Sequence, residues 1–248
     1  MLIRIDKILS QLQIATRSES KKMFAAGRVQ INDEIVKNGA VRFDPERDRL
    51  FVDGNPVDYE EYQYWMLNKP AGCVTATEDR RDRTVMDYLP PDRHRNLSPV
   101  GRLDKDTEGL LLITDDGALN HALLAPGKHV EKEYFARVSG KVTEQTIQQF
   151  KEGLEIGEKK PTAPAKLEIL SVSETEIVSE VLVTITEGKF HQIKRMFHAT
   201  GMEVIYLKRL RMGSLLLDET LEPGECRPLR KMELSLLKAD CGKKDDET

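Results

Sequence analysis

No run in this 248-residue chain approaches the roughly 18 consecutive apolar residues of a membrane-spanning helix, so no membrane span is expected. The opening Met1-Leu2-Ile3-Arg4-Ile5-Asp6 lacks the long apolar core of a secretory signal. Cysteine is scarce. Cys73, Cys226 and Cys241 are odd in number, far apart and form no C-x-x-C, which argues against a disulfide framework and against a zinc site. A reducing, cytoplasmic setting is the expectation. The chain also has no G-x-G-x-x-G and no P-loop, the marks of dinucleotide and nucleoside-triphosphate binding, and no internal repeat. A methyltransferase would need a glycine-rich cofactor turn after a strand, and none is found.

What remains is the composition of a soluble globular protein, 39% hydrophobic and 32% charged, long enough for a small domain plus a medium one. The net charge of −4 is unevenly spread. Residues 1–31 carry six basic residues (Arg4, Lys7, Arg17, Lys21, Lys22, Arg28) against Asp6 and Glu19. Residues 189–211 carry Lys189, Lys194, Arg195, Lys208, Arg209 and Arg211 against Glu203 alone. Local fields of this kind, not the whole-chain charge, set phosphate affinity, so a nucleic-acid partner is expected.

The N-terminal pattern describes a small module. Ile5, Ile8, Leu9 and Leu12 recur at helical spacing, and Ser18 is a candidate N-cap for a second helix ended by Gly27. Val29 and Ile31 alternate like a strand, Asp33-Glu34 can turn the chain, and Asp53-Gly54 suits a second hairpin. Residues 55–63 mix proline, acids and aromatics and read as a linker. The module boundary is set at 1–58 and the linker proper at 59–63. Residues 64–240 then form the larger domain, and 241–248 a polar tail. Within 78–95, two charged clusters flank a short helix over Thr84–Leu89.

In the larger domain Leu110–Ile113 is a continuous apolar run bounded by Gly109 and by Asp115-Asp116-Gly117, as in a strand buried on both faces. Before it lies a polar loop with Arg102, Asp104, Lys105, Asp106, Thr107 and Glu108. By spacing alone a self-compensating surface turn is the better reading of that loop. Further on, Glu131–Val138 alternates like a strand, and Thr143–Lys151 reads as a capped helix. Lys166–Val172 and Ile177–Thr186 read as strands. Phe190, Ile193, Met196 and Phe197 fall on one helical face, with Lys194 and Arg195 elsewhere. Val204–Leu207 and Ser214–Leu217 read as closing strands with Lys208–Arg211 between them.

The spelling Gly101-Arg102-Leu103-Asp104-x-x-Thr107-x-Gly109-Leu110-Leu111 resembles the signature loop of pseudouridine synthases. Asn68-Lys69-Pro70-x-Gly72 also occurs at the entry to that family's catalytic domain, although a proline-glycine turn suffices to explain it and no chemistry is assigned to Lys69. Glu187-Gly188-Lys189-x-His191-Gln192-x-Lys194-Arg195-Met196-Phe197 resembles a third motif. The wording Arg4-Ile5-Asp6-Lys7, Ser18 and Gly27-Arg28-Val29-x-Ile31-Asn32 resembles the small RNA-binding domain first recognised in a small-subunit ribosomal protein. Together these cover about residues 2–237 and place the chain with the RsuA-like branch, with most likeness to synthases acting on 16S ribosomal RNA.

The resemblance implies an α+β fold. A helix-plus-hairpin RNA-binding domain precedes a synthase domain whose mixed, mainly antiparallel sheet is flanked by helices. It implies Asp104 as the catalytic carboxylate, Tyr134 as the aromatic lying on the target base, and Lys194 as the cation paired with Asp104, where many relatives have arginine. It implies Arg102 as the side chain filling the space vacated by a flipped uridine. Arg4, Lys7, Arg17, Lys21, Lys22, Arg28, Lys189, His191 and Arg195 are candidate RNA contacts. The reaction breaks the ribose bond to a ring nitrogen, turns the base and rejoins it through ring carbon five. No atoms are added, so no cofactor and no metal are expected. The expected partner is ribosomal RNA within a small-subunit assembly intermediate, met by a monomer. A large-subunit (23S) target, or a non-catalytic assembly factor, is the alternative.

Overall fold

The computed structural model describes residues 2–12, 14–45, 47–91, 96–173, 175 and 177–242. The chain divides into two compact units, Met1–Glu61 and Tyr62–Thr248.

The first unit opens with β1 (Ile3–Arg4) and α1 (Ile5–Gln11), which buries Ile5, Ile8 and Leu9 as their spacing requires. α2 (Arg17–Ala25) starts at Thr16, not at the expected Ser18. Glu19 N donates to Thr16 Oγ1, and Thr16 N donates to Glu19 Oε2 at 2.8 Å. That reciprocal capping box needs a hydroxyl three residues before the acid, and Ser18 stands only one away. β2 (Val29–Ile31) and β3 (Glu34–Ile35) form a hairpin turning at Asn32-Asp33, one residue earlier than expected. Asn32 adopts φ +54, which an asparagine tolerates, and this leaves Glu34 free to pair with Ile31. β4 (Arg42–Phe43) pairs with β1. β5 (Leu50–Val52) and β6 (Asn55–Val57) turn at Asp53-Gly54, φ +55 and +78, as a two-residue hairpin demands. Residues 55–57 are strand and lie within the expected 1–58 module, although the stretch from 55 onward also reads as linker. Pro56 is accommodated because β6 ends the β3-β2-β5-β6 sheet. Tyr59 also belongs to this unit: its hydroxyl donates to Gln11 Oε1 at 2.8 Å and its ring meets Phe43 edge-on.

The second unit contains β7 (Tyr64–Lys69), β8 (Ser98–Pro99), β9 (Glu108–Thr114), α3 (Gly117–Leu124) and β10 (Lys132–Ser139). α4 (Glu144–Glu152), β11 (Lys166–Ser173), β12 (Val178–Ile185), α5 (Gln192–Ala199) and β13 (Glu203–Met212) follow. The unit ends with β14 (Leu215–Leu216), β15 (Cys226–Pro228) and α6 (Lys231–Gly242). The expected helix at 84–89 is a short 3-10 turn, Val85–Tyr88. Asp92-Arg93-His94-Arg95 and residues 243–248, most of the expected tail, lie outside the described residues.

The main sheet runs β11-β12-β10-β13-β9-β7-β15, with β14 on β13 and β8 on β9. Among the described strands β13 and β9 pair in parallel, and the other neighbours are antiparallel. The expected mixed, mainly antiparallel α+β sheet is present. β9 is buried on both faces because it separates two cores. Leu111 and Ile113 join Phe150 and Phe197 on one side, whereas Leu110 and Leu112 join Leu119 and Leu237 on the other.

One expectation fails at the centre. Lys208–Arg211, read as a connection, lies inside β13, which sits between β10 and β9 in the sheet. Arg209 is buried and its Nε donates to the Leu110 carbonyl at 2.7 Å, so this cation is a sheet component, not a surface charge.

Candidate active site

The loop carrying Asp104 is held by backbone clamps before it enters β9. Thr75 Oγ1 donates to the Leu103 carbonyl at 2.7 Å and accepts from Leu103 N at 3.1 Å. Gly72 N donates to the Lys105 carbonyl at 2.7 Å. Lys69, fully buried, donates through Nζ to the carbonyls of Thr107 at 2.9 Å, Pro70 at 3.0 Å and Lys105 at 3.3 Å. Burial lowers its pKa, against the pull of Cys73 and of the loop carboxylates Asp106, Asp104 and Glu108. Sequence reasoning gave Lys69 no role. The available signal was a lysine continuing the apolar Tyr64–Leu67 strand, a place where an ammonium must find acceptors.

Asp104 is partly exposed and faces two nitrogen groups of the segment that starts α5. Lys194 Nζ lies 3.2 Å from its Oδ2, and His191 Nε2 lies 3.5 Å from its Oδ1. The expected pairing with Lys194 is present but shared. The same ammonium is 2.5 Å from Asp106 Oδ1, a carboxylate to which sequence reasoning gave no part. Burial opposes the charge on Lys194. The hydrogen bond to Asp106 and the charge of Asp104 outweigh it, and the lysine pKa is raised. Arg195 is turned away: it donates to Glu158 Oε1, to the Phe190 carbonyl and to the Ile156 carbonyl.

Around Asp104 opens a cavity of about 680 Å³, within the roughly 300–1,000 Å³ usual for small-ligand sites. Tyr134 and Arg102 line it with Asp104, so the three residues assigned to base contact, space filling and chemistry face one hollow. Lys194 lines a smaller hollow that shares Asp104 and Tyr134. Lys132 and Arg209, unassigned from sequence, also line the larger cavity. Burial, then the Arg209 charge, push the Lys132 ammonium down to about 8. The arrangement can hold a flat ring between an aromatic and a carboxylate.

Phe190 departs from expectation. It does not join Ile193, Met196 and Phe197 on a helix face, because α5 begins only at Gln192. Gln192 folds back, accepting from Lys189 N at 2.9 Å and donating to Glu187 Oε1 at 2.9 Å, and His191 takes φ +50. Residues 187–191 thus form a turn, and Phe190 is 73% exposed.

The RNA-contact candidates divide. Lys7, Arg17, Lys21 and Lys22 are exposed in the first unit, and none is in a salt bridge among the described residues. Arg4 is paired with Asp6 and Arg28 with Asp53. Lys189 donates to the Pro161 carbonyl at 2.7 Å and stands 3.5 Å from Glu187. Arg211 is held by Glu131 and Glu133. The basic stretch 189–211 is accordingly much less a free phosphate surface than its composition suggested. No group of three or more His, Cys, Asp or Glu among the described residues is placed to hold a metal, and none of their helices is long and apolar enough to cross a membrane.

Comparison with known proteins bears on the same regions. The family model for RNA pseudouridylate synthase matches residues 63–199, and that for the S4 domain matches residues 3–50. An uncharacterised RNA pseudouridine synthase of Bacillus subtilis is 45% identical over 236 residues, 95% of this chain and 98% of its own. Ribosomal small subunit pseudouridine synthase A of Haemophilus influenzae is 42% identical over 95% of this chain and 99% of its own, and that of Escherichia coli is 39% identical over 94% and 99%. A crystal structure of a pseudouridylate synthase, 41% identical, superposes with a TM-score of 0.66 over 95% of this chain and 99% of that one.

Proposed function

The chain belongs to the RNA pseudouridylate synthase family, and from that premise we propose that it isomerises one uridine of 16S small-subunit ribosomal RNA with Asp104 as the catalytic carboxylate. The observation that carries the residue assignment is the meeting of Asp104, Tyr134 and Arg102 at one cavity, with the Lys194 ammonium 3.2 Å from the carboxylate. The choice of 16S rests on relatives that are ribosomal small subunit pseudouridine synthases at about 40% identity over nearly their whole length.

In folded RNA the target atoms are stacked away, so the uridine must leave the helix at a cost of a few kcal/mol. Arg102 takes the vacated space, and Tyr134 receives the extruded ring. Asp104 then serves as the single anionic group the rearrangement requires, whether it attacks the nucleoside or removes a ribose proton. Lys194 keeps a positive charge beside it throughout. The exposed Lys7, Arg17, Lys21 and Lys22 of the S4 unit supply sequence-independent phosphate contacts. A monomer acting in the cytoplasm on a small-subunit assembly intermediate completes the reading.

The test is pseudouridine mapping of ribosomal RNA from cells lacking the gene. Loss of one 16S site, restored by the wild-type gene and not by Asp104→Asn, is expected. A missing 23S site would transfer the substrate to the large subunit. An unchanged map would leave an assembly factor as the better reading.

A further inference from the structure

Phe190 is a large aromatic left 73% exposed at the edge of the cavity, where an apolar ring gains nothing from water. Its backbone is anchored. Its carbonyl accepts from Arg195 Nη1 at 3.0 Å, and the same guanidinium is anchored to Glu158 and to the Ile156 carbonyl. The preceding residue is pinned by the Lys189 N–H to Gln192 Oε1. One ring face is occupied: the imidazole of His191 stacks on it at 3.8 Å between centroids and 19° between planes. That imidazole in turn stands 3.5 Å from Asp104. The other face of Phe190 is open, one stacked ring away from the reacting carboxylate.

A flat, exposed aromatic on an anchored backbone at this distance suits one kind of occupant. When a uridine leaves the stack, its neighbour in the strand loses a stacking partner and exposes a π-face beside the site. Aromatic side chains take up such faces regardless of base identity. We propose that Phe190, backed by His191, is the stacking platform for the nucleobase flanking the target uridine, so that the enzyme holds two successive bases and not the target alone. The proposal rests on the reading of the site as a uridine-isomerising one.

The experiment uses the full chain and an RNA fragment spanning the uridine that the wild-type protein converts. If no uridine is converted, the functional reading fails first. With conversion established, affinity is measured in the Asp104→Asn background. Adding Phe190→Ala should weaken binding about ten-fold, the loss of one stacked base. Phe190→Tyr should restore affinity and Phe190→Leu should not, since a merely apolar role would accept leucine. In parallel, 2-aminopurine is placed immediately 5′ of the target uridine in one RNA and immediately 3′ in another. Its emission should change on binding in one of the two, and that change should vanish with Phe190→Ala. Affinity within about two-fold of the parent in Phe190→Ala, rescue by leucine equal to rescue by tyrosine, or no Phe190-dependent emission change at either position overturns the proposal.

Discussion

Lys194 Nζ stands 3.2 Å from Asp104 Oδ2, yet 2.5 Å from Asp106 Oδ1, so the ammonium beside the proposed catalytic carboxylate is shared with a second one. Asp104 is the more enclosed of the two, with 25% of its side chain exposed against 74% for Asp106, and charge pairs weaken as water enters. On the proposed function, the pair that matters to the chemistry is the inner one. Asp104→Asn should abolish pseudouridine formation while leaving RNA binding largely intact. Lys194→Met should lower kcat about 100-fold, the scale of losing one charge-stabilising group. Asp106→Asn should cost less than about ten-fold, because the ammonium keeps its inner partner. Single-turnover rates on the three variants check the order, and Asp106→Asn slower than Lys194→Met would reverse the roles.

The raised pKa of Lys194 also has a sign in pH. A lysine held charged by carboxylates contributes stability that is complete below its ordinary 10.5 and is lost only as pH rises through the higher folded value. Between neutral pH and about 10, the wild-type minus Lys194→Met difference in unfolding free energy should stay flat.

Lys132 behaves oppositely. It is 8% exposed, its Nζ donates to the Val130 carbonyl at 2.8 Å, and its pKa falls from 10.5 to about 8. Between those two values the unfolded chain binds the extra proton, so this group's contribution to stability rises with pH. The wild type should gain on Lys132→Met by up to about 3 kcal/mol between pH about 7 and about 10.5. Parallel urea titrations at both ends of that range check it, and a difference that shrinks with pH would contradict the assignment.

Asp116 joins a helix to the sheet. Its Oδ1 accepts from Leu119 N at 2.9 Å as the cap of α3, and its Oδ2 accepts from the Tyr64 hydroxyl of β7 at 2.7 Å. Burial and this bond push the tyrosine pKa upward. Asp116→Ala removes the cap and strands a half-buried hydroxyl, and should cost about 2–3 kcal/mol. Tyr64→Phe should cost about 1 kcal/mol. Denaturant midpoints at neutral pH separate the two.

Much of this molecule is legible in its residues because local rules agree with the fold. Ile5, Ile8 and Leu9 share a face, Asp53-Gly54 turns where it should, and Leu110–Ile113 is buried on both sides. The failures occur where a tertiary partner overrides the local pattern. Arg209 looks like surface charge until the Leu110 carbonyl is brought opposite it. Phe190 fits a helical stripe until Gln192 folds back and delays the helix. Two of the three acceptors of Lys69, the carbonyls of Lys105 and Thr107, lie more than thirty residues away in the chain. The site loop is legible only in its spelling, because its spacing alone reads as a solvated turn.

The pairing of β9 and β13 supplies the last test. These strands pair in parallel at Glu108↔Lys208 and Gly109↔Arg209, where the site loop enters the sheet. Gly109 has φ +97, and a Cβ there would run into the Arg209 backbone oxygen and lie 2.8 Å from its nitrogen. Neither atom can yield, because both belong to a central strand. Gly109→Ala should therefore destabilise the fold by about 3 kcal/mol or more and reduce turnover even where the protein stays folded, since Asp104 lies five residues upstream. Gly117 is the control: it opens α3, its added Cβ meets nothing within 4 Å, and its φ is ordinary. Gly117→Ala should raise stability by about 0.5–1 kcal/mol with activity unchanged. Thermal unfolding and turnover measured on both variants decide the matter, since a general intolerance of alanine in this segment would lower both, whereas the close approach of two backbones penalises only Gly109.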